Sequence, residues 1–284
     1  MKSKLFPIIQ VSDLNELFKR NELIILDVSN GKDAQSNYKQ KHLDGALFVD
    51  LNSQLADIKE DLSKGGRHPL PTTENFSKLL STLGITPKTH IILYDDKSGA
   101  NAAARMWWML KSVGHEKVQV LNGGFQEAEK QSFPINSNPI NSTPTEEYKI
   151  ENWKLPLVNL IEVEEVSGNN SKLIIDVRES VRYNGETEPI DLVPGHIPNA
   201  INIPFSTNLD ENGLFLSPEI LREKYKNIFN NKKSSEIIVH CGSGVTACHT
   251  LLAMDYAGFE IPKLYVGSWS EWSRNSKPIA VSKS

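Results

Sequence analysis

Cysteine is scarce: the 284 residues include only Cys241 and Cys248. Two thiols cannot build a disulfide framework and are too few for a zinc site made of cysteines, so no metal ligand set is read here. Such cysteine usage suits a reducing cytoplasm. No apolar run approaches the ~20 residues of a membrane span. Residues 1–10 carry lysines and a very short apolar patch, without the apolar stretch and cleavage site of a secretory leader. Basic excess is missing as well. Lys+Arg is 31 against Asp+Glu 35, a net charge of −4. That balance argues against a general nucleic-acid binder and against an anionic membrane surface as partner. What is present is a 39% hydrophobic, 23% charged composition, well above that of a disordered chain. At roughly 100–200 residues per domain, the length suits about two domains.

The chain repeats itself. Leu23-Ile24-Ile25-Leu26-Asp27-Val28 recurs as Leu173-Ile174-Ile175-Asp176-Val177, and His42-Leu43-Asp44-Gly45-Ala46 as His196-Ile197-Pro198-Asn199-Ala200. Ile91-Ile92-Leu93-Tyr94-Asp95 recurs as Ile237-Ile238-Val239-His240-Cys241, and Asn122-Gly123-Gly124-Phe125 as Val266-Gly267-Ser268-Trp269. Four matches in one order, spaced by about half the length, indicate a duplicated domain; the period is far too long for a solenoid. The expected division is a first domain over 1–132, a linker over 133–156 and a second domain over 157–284. The linker reading rests on Pro134, Pro139, Pro144 and Pro156 among Asn, Ser, Thr and Glu, which favour turns and extended, exposed chain.

Within each half, short β-branched runs alternate with helical patterns. Runs 23–28, 91–94 and 118–121 read as buried strands, with counterparts at 173–177, 237–240 and 263–266. Segments 74–83, 102–113, 219–229 and 247–257 read as helices. Continuous apolar runs of this length suit a parallel sheet covered on both faces. The fold class is therefore α/β: two tandem domains, each a mainly parallel sheet with helices on both faces. In such sheets ligands sit beyond the carboxyl ends of the strands, where Cys241 falls. Trp107, Trp108, Trp269 and Trp272, at helix and strand positions, read as packing residues.

The chemistry concentrates in Ile237-Ile238-Val239-His240-Cys241-Gly242-Ser243-Gly244-Val245-Thr246-Ala247. A strand runs into a cysteine, a loop with two glycines follows, and a helix begins. Gly242 and Gly244 let the backbone turn tightly, so that N–H groups from Gly242 to Thr246 face an anion. The first helical turn adds positive potential. A thiol at Cys241 is expected to act as a nucleophile, whereas Cys248, among small apolar residues of a helix, reads as core. A cysteine phosphatase needs an arginine six residues after the cysteine to grip phosphate bidentately. Ala247 stands there, and no basic residue lies between. A singly charged persulfide needs only the loop N–H groups.

With its repeat and this loop, the chain resembles the two-domain rhodanese superfamily of sulfurtransferases over nearly its whole length. Asp176-Val177-Arg178, Gly195-His196-Ile197-Pro198 and Gly267-Ser268-Trp269-Ser270-Glu271-Trp272 are similar to landmarks of that superfamily. The loop 241–246 resembles that of the 3-mercaptopyruvate sulfurtransferases; thiosulfate sulfurtransferases typically carry Arg and Lys where Gly242 and Ser243 stand. The resemblance implies two rhodanese-like domains, of which only the second is catalytic, in agreement with Asp95 at the cysteine position of the first. It implies that Arg182 holds the donor's carboxylate or sulfonate. It further implies that His68 and Ser243 relay a proton with an aspartate, at whose place Asn52 stands. The second carboxylate-binding arginine usual before Gly-His-Ile-Pro is missing from residues 186–192.

The expected activity is transfer of a sulfane sulfur from 3-mercaptopyruvate, or thiosulfate, through a Cys241 persulfide. Cyanide, a small thiol or a thioredoxin-like protein is the expected acceptor. No metal or organic cofactor is implied. The alternatives are a thiosulfate sulfurtransferase and a non-catalytic module that carries persulfide.

Overall fold

Runs of Ile, Leu and Val without a charged interruption form the central strands of two parallel sheets. They are described by a computed structural model that covers residues 5–20, 23–169 and 171–282. Met1 to Lys4 of the lysine-bearing amino-terminal stretch lie outside the described residues. Two compact units are present. One comprises Met1–Leu55, Pro71–Lys154 and Glu211–Phe215; the other comprises Ala56–Leu70, Leu155–Asp210 and Leu216–Ser284.

In the first unit the strand order is Ile8–Ile9, Val118–Leu121, His90–Tyr94, Leu23–Asp27, Ala46–Phe48, with every pairing parallel. Helices Val11–Phe18, Thr73–Thr82, Ala102–Ser112 and Gly124–Lys130 accompany the sheet. The helix Thr73–Thr82 starts where the Thr72 hydroxyl accepts the Asn75 N–H, and it buries Phe76, Leu79 and Leu80. Leu14, Ile25, Ile92, Tyr94, Leu121 and Phe133 share one core cluster.

The second unit repeats this order: Leu157–Val158, Lys263–Tyr265, Ile237–His240, Leu173–Asp176, Ala200–Asn202, again all parallel. Its longer helices are Leu160–Ser167, Pro218–Phe229 and Thr246–Tyr256. The Asn159–Glu162 capping box and the Ser217 cap set the starts of the first two. Trp107, Trp108, Trp269 and Trp272 are fully buried. Among the described residues no helix is long and apolar enough to cross a membrane.

Two features depart from a simple three-segment division. Residues 133–154 run along the first unit instead of standing clear of it. Ile135–Asn136 pairs antiparallel with His42–Leu43, the Ser77 hydroxyl donates to the Tyr148 carbonyl at 2.7 Å, and Trp153 packs on Phe76 and Trp108. Packing of the Trp153 ring outweighs the turn-forming character of the intervening prolines and serines. Residues 56–70 belong to the second unit, not to the first as a cut at 132 requires.

The first unit displays what this strand–loop–helix junction does with an anion. Asp95 follows the central strand at the position equivalent to Cys241 and is fully buried. Its carboxylate accepts the N–H groups of Lys97, Gly99, Asn101 and Ala103 at 2.8–3.2 Å. Burial pushes the carboxyl above its usual range, against the pull of these four donors. Asp95→Ala leaves four donors facing a cavity. Because unmade hydrogen bonds of buried groups are expensive, we expect a loss of about 3 kcal/mol. That corresponds to a melting temperature lower by roughly 10 °C. An unchanged thermal unfolding curve contradicts this account of the loop.

Candidate active site

Cys241 follows the central strand of the second sheet, and three backbone hydrogen bonds hold the turn after it. The Cys241 N–H donates to the Ser268 hydroxyl at 3.2 Å, Trp269 N–H donates to the Cys241 carbonyl at 3.0 Å, and Ser270 N–H to the Gly242 carbonyl at 2.9 Å. The Trp269 contact has its twin in the first unit, where Phe125 N–H donates to the Asp95 carbonyl at 3.0 Å. Asp95 and Cys241 thus occupy equivalent places, each at the end of a central strand and before a loop that leads into a helix.

Gly244 sits at φ +72°, and a Cβ there would stand 2.5 Å from the Val266 carbonyl oxygen, so only glycine permits this turn. Val245 is buried and caps the next helix without a side-chain hydrogen bond; Thr246 is its first residue. Cys241 is 3% exposed. Cys248 is fully buried on that helix, with its Sγ 3.3 Å from the Gly244 carbonyl oxygen, and matches the expected core residue.

His68 and Ser243 come together across 175 positions of sequence, with Nδ1 and Oγ 2.8 Å apart. The segment that carries His68 is pinned to the second unit. Gly65 N–H donates to Glu271 at 2.8 Å, and Asn275 donates to the Ser63 carbonyl at 2.8 Å. Gly66, at φ +77°, lies so close to the Gly267 carbonyl that a Cβ would be 2.5 Å from it. Asn52 belongs to the other compact unit.

Arg182 lies on the short helix Ser180–Tyr183. Its Nε donates to both Glu188 oxygens at 3.1 and 3.0 Å, and its Nη2 to Glu188 at 2.7 Å and Asp191 at 3.3 Å. A methyl group on Gly242 would meet Arg182 at 3.4 Å and, nearer still, Arg67 at 3.0 Å. Arg67 is therefore a second guanidinium beside the cysteine loop. Its Nε and Nη2 donate to Asp191 at 3.1 and 3.3 Å. Arg274 donates to the same carboxylate at 3.0 Å.

The arginine-free stretch 186–192 supplies acidic partners to these arginines. Its Glu188 and Asp191, both nearly inaccessible, hold Arg67, Arg178, Arg182 and Arg274 in place. Fixed in this way, an arginine fork meets an anion with little rotamer entropy left to lose. The only local clue to Arg67 is its place directly before His68. Arg178 is 1% exposed and clamps Asp176, as its position beside that residue suggests.

His240 is buried. Its Nδ1 is 3.1 Å from the Cys241 carbonyl oxygen and its Nε2 is 3.7 Å from Asp176. Burial pushes the imidazole below its usual range, so it is neutral at neutral pH and packs as a structural residue.

A thiol at a strand end before a glycine turn, with two guanidiniums beside Gly242 and a hydrogen-bonded His–Ser pair, has the groups needed to attack an anionic donor. The family model for the rhodanese-like domain matches residues 10–131 and 160–275. A probable 3-mercaptopyruvate sulfurtransferase of Pseudomonas aeruginosa is 36% identical over 247 residues, 86% of each chain. The thiosulfate sulfurtransferase of Rattus norvegicus is 35% identical over 267 residues, 90% of this chain and 86% of that one. Among solved structures, the 3-mercaptopyruvate sulfotransferase SseA of Escherichia coli superposes with a TM-score of 0.77 at 30% identity, covering 94% of this chain and 100% of that one. With both halves matched and the relatives spanned almost end to end, the chain belongs to the rhodanese-like family, in which it carries two copies of the domain.

Proposed function

We propose that this sulfurtransferase takes the sulfur of 3-mercaptopyruvate onto Cys241 and passes it to a nucleophilic acceptor. The observation that carries the reading is the convergence of Arg67 and Arg182 on Gly242, one residue from the thiol. Two guanidiniums at that place suit an α-keto carboxylate whose thiol then meets Cys241.

In the first half-reaction the Cys241 thiolate attacks the donor sulfur. An S–S bond forms and the C–S bond breaks, with its electron pair leaving on the pyruvate enolate. The donor's thiol proton passes to that enolate, and the His68–Ser243 pair, 2.8 Å apart, is suited to carry it. Cys241 is left as a persulfide anion, stabilised by the N–H groups of Gly242, Ser243, Gly244, Val245 and Thr246. In the second half-reaction a thiol or cyanide attacks the outer sulfur, the S–S bond breaks, and the Cys241 thiolate returns. A small thiol or a thioredoxin-like protein in the reducing cytoplasm suits the acceptor role. Under this reading the first copy is non-catalytic, because Asp95 fills its loop with a carboxylate.

Thiosulfate is the second reading: two cations also accommodate a dianion, but that donor makes no use of the His68–Ser243 pair. Steady-state assays with both donors, at one acceptor and salt concentration, separate the two. We expect the higher kcat/KM with mercaptopyruvate, because only that donor uses the His68–Ser243 relay. A higher value with thiosulfate overturns the donor assignment and leaves the persulfide chemistry standing. Arg67→Ala is expected to raise the KM for mercaptopyruvate about tenfold, through loss of a charge-assisted contact. It should still allow the persulfide to form at saturating donor. An unchanged KM removes Arg67 from the donor site.

A further inference from the structure

The two copies also differ at a buried position two residues after the strand-end aspartate. In the second unit Asp176 accepts the Arg178 N–H at 2.9 Å; in the first, Asp27 accepts the Ser29 N–H at 2.9 Å. The surroundings correspond closely. Tyr183 stacks on His196 with centroids 3.7 Å apart and donates to the Ala200 carbonyl; Tyr38 stacks on His42 at 4.2 Å and donates to the Ala46 carbonyl. Serine therefore stands in the first unit where arginine stands in the second, in the same local frame.

In the second unit the Arg178 guanidinium fills that frame. Its Nε and Nη2 grip Asp176 at 2.6–3.1 Å, its Nη1 donates to Glu188 at 3.2 Å, and its Cζ lies 4.6 Å from the centre of the Trp269 ring. In the first unit a cavity of about 380 Å³ is lined there by Asp27, Ser29, Tyr38, Lys41, Asp96 and Phe125. Phe125 is the counterpart of Trp269. Asp27 is 4% exposed, and a buried Oδ1 of Asp96 has no hydrogen-bond partner among the described residues. Lys41 is the cation on the lining. Its ammonium is paired with Glu129 and rests 5.1 Å from the centre of the Phe125 ring.

The two aspartates register the difference. Burial pushes Asp27 above the usual carboxylate range, and the groups that oppose the shift, Ser29 and Tyr94, are uncharged. Burial acts on Asp176 too, yet its carboxyl is held below the range by His240 and Arg178. Arg178 has no counterpart in the first unit, where Ser29 stands.

We propose that the cavity beside Asp27 is a binding site for small guanidinium compounds. The ligand's fork takes the place on Asp27 that Arg178 takes on Asp176, its face lies on Phe125, and Asp96 accepts from the remaining N–H groups.

Isothermal titration of the full chain with butylguanidinium, and with butylurea as the uncharged isostere, tests this. We expect one butylguanidinium per chain in the millimolar range or tighter, with butylurea at least about tenfold weaker, since a neutral group forfeits the charge-assisted bonds. Asp96→Asn and Asp27→Asn should each weaken binding by about the same factor. Ser29→Arg rebuilds the self-filled state of the second unit and should abolish binding. Circular dichroism confirms that each variant is folded, and if Asp27→Asn does not fold, Asp96→Asn and Ser29→Arg decide. Equal affinity for both probes, undiminished binding by Ser29→Arg, or no binding by the unmodified protein overturns the proposal.

Discussion

Cys241→Ser is expected to abolish turnover, by about 10⁴-fold or more, as removal of a covalent nucleophile does. It should also abolish the mass gain of about 32 Da, one sulfur, expected when donor is added without acceptor. The variant separates chemistry from folding, because the loop is held through its backbone. Ser268 accepts the residue's N–H, and the Trp269 and Ser270 N–H groups fix the carbonyls of residues 241 and 242, without involving the thiol. A serine hydroxyl fits the same space but stays protonated at neutral pH and is a weak nucleophile. Cys248→Ser is the matched control. That thiol is buried on the helix and directed to the Gly244 carbonyl, so most activity should remain. An active Cys241→Ser protein, or a mass gain lost in Cys248→Ser alone, refutes the mechanism.

Arg182→Ala is expected to lower kcat/KM by roughly 30- to 1000-fold. This is the cost of about 2–4 kcal/mol for losing a bidentate, charge-assisted contact in a partly closed site. The loss should not be one of folding. Glu188, which Arg182 grips, keeps Arg178 at 3.2 Å and the N–H groups of Ile190 and Asp191 at 3.1 and 3.0 Å. Asp191 likewise keeps Arg67 and Arg274. Arg182→Lys should recover only part of the rate, because a point charge cannot reproduce the fork that Glu188 aligns. Thermal unfolding within a few degrees of the unmodified protein, together with the kinetic loss, places the effect on the donor. Wild-type kinetics of Arg182→Ala with both mercaptopyruvate and thiosulfate would sink the assignment.

Local signals were legible where the physics is local. The strand runs and the helices after them are found within a residue or two of the expected positions, because apolar periodicity and caps act over a few neighbours. Edge strands such as Ile8–Ile9 and Leu157–Val158 are two residues long and carry no periodicity of their own. They exist because a neighbouring strand offers free backbone groups. The linker reading of 133–156 missed the packing of Tyr148 and Trp153, whose partners Ser77, Phe76 and Trp108 are far away in the chain.

The same division runs through the candidate site. From sequence alone come the duplication, the parallel α/β sheets and Cys241 at a strand end before a glycine turn, since each depends on contiguous residues. Tertiary structure alone decides which cations reach the loop. Arg67 arrives on a segment that packs with the second unit, and the acids that aim it and Arg182 stand in a stretch noted only for its missing arginine. It also decides that Ser29, an unremarked serine in the sequence, opens a cavity where Arg178 closes one. An ion pair between residues more than a hundred positions apart leaves no local pattern. Its energy depends on where the fold brings the two charges, and that is set by the packing of the whole unit.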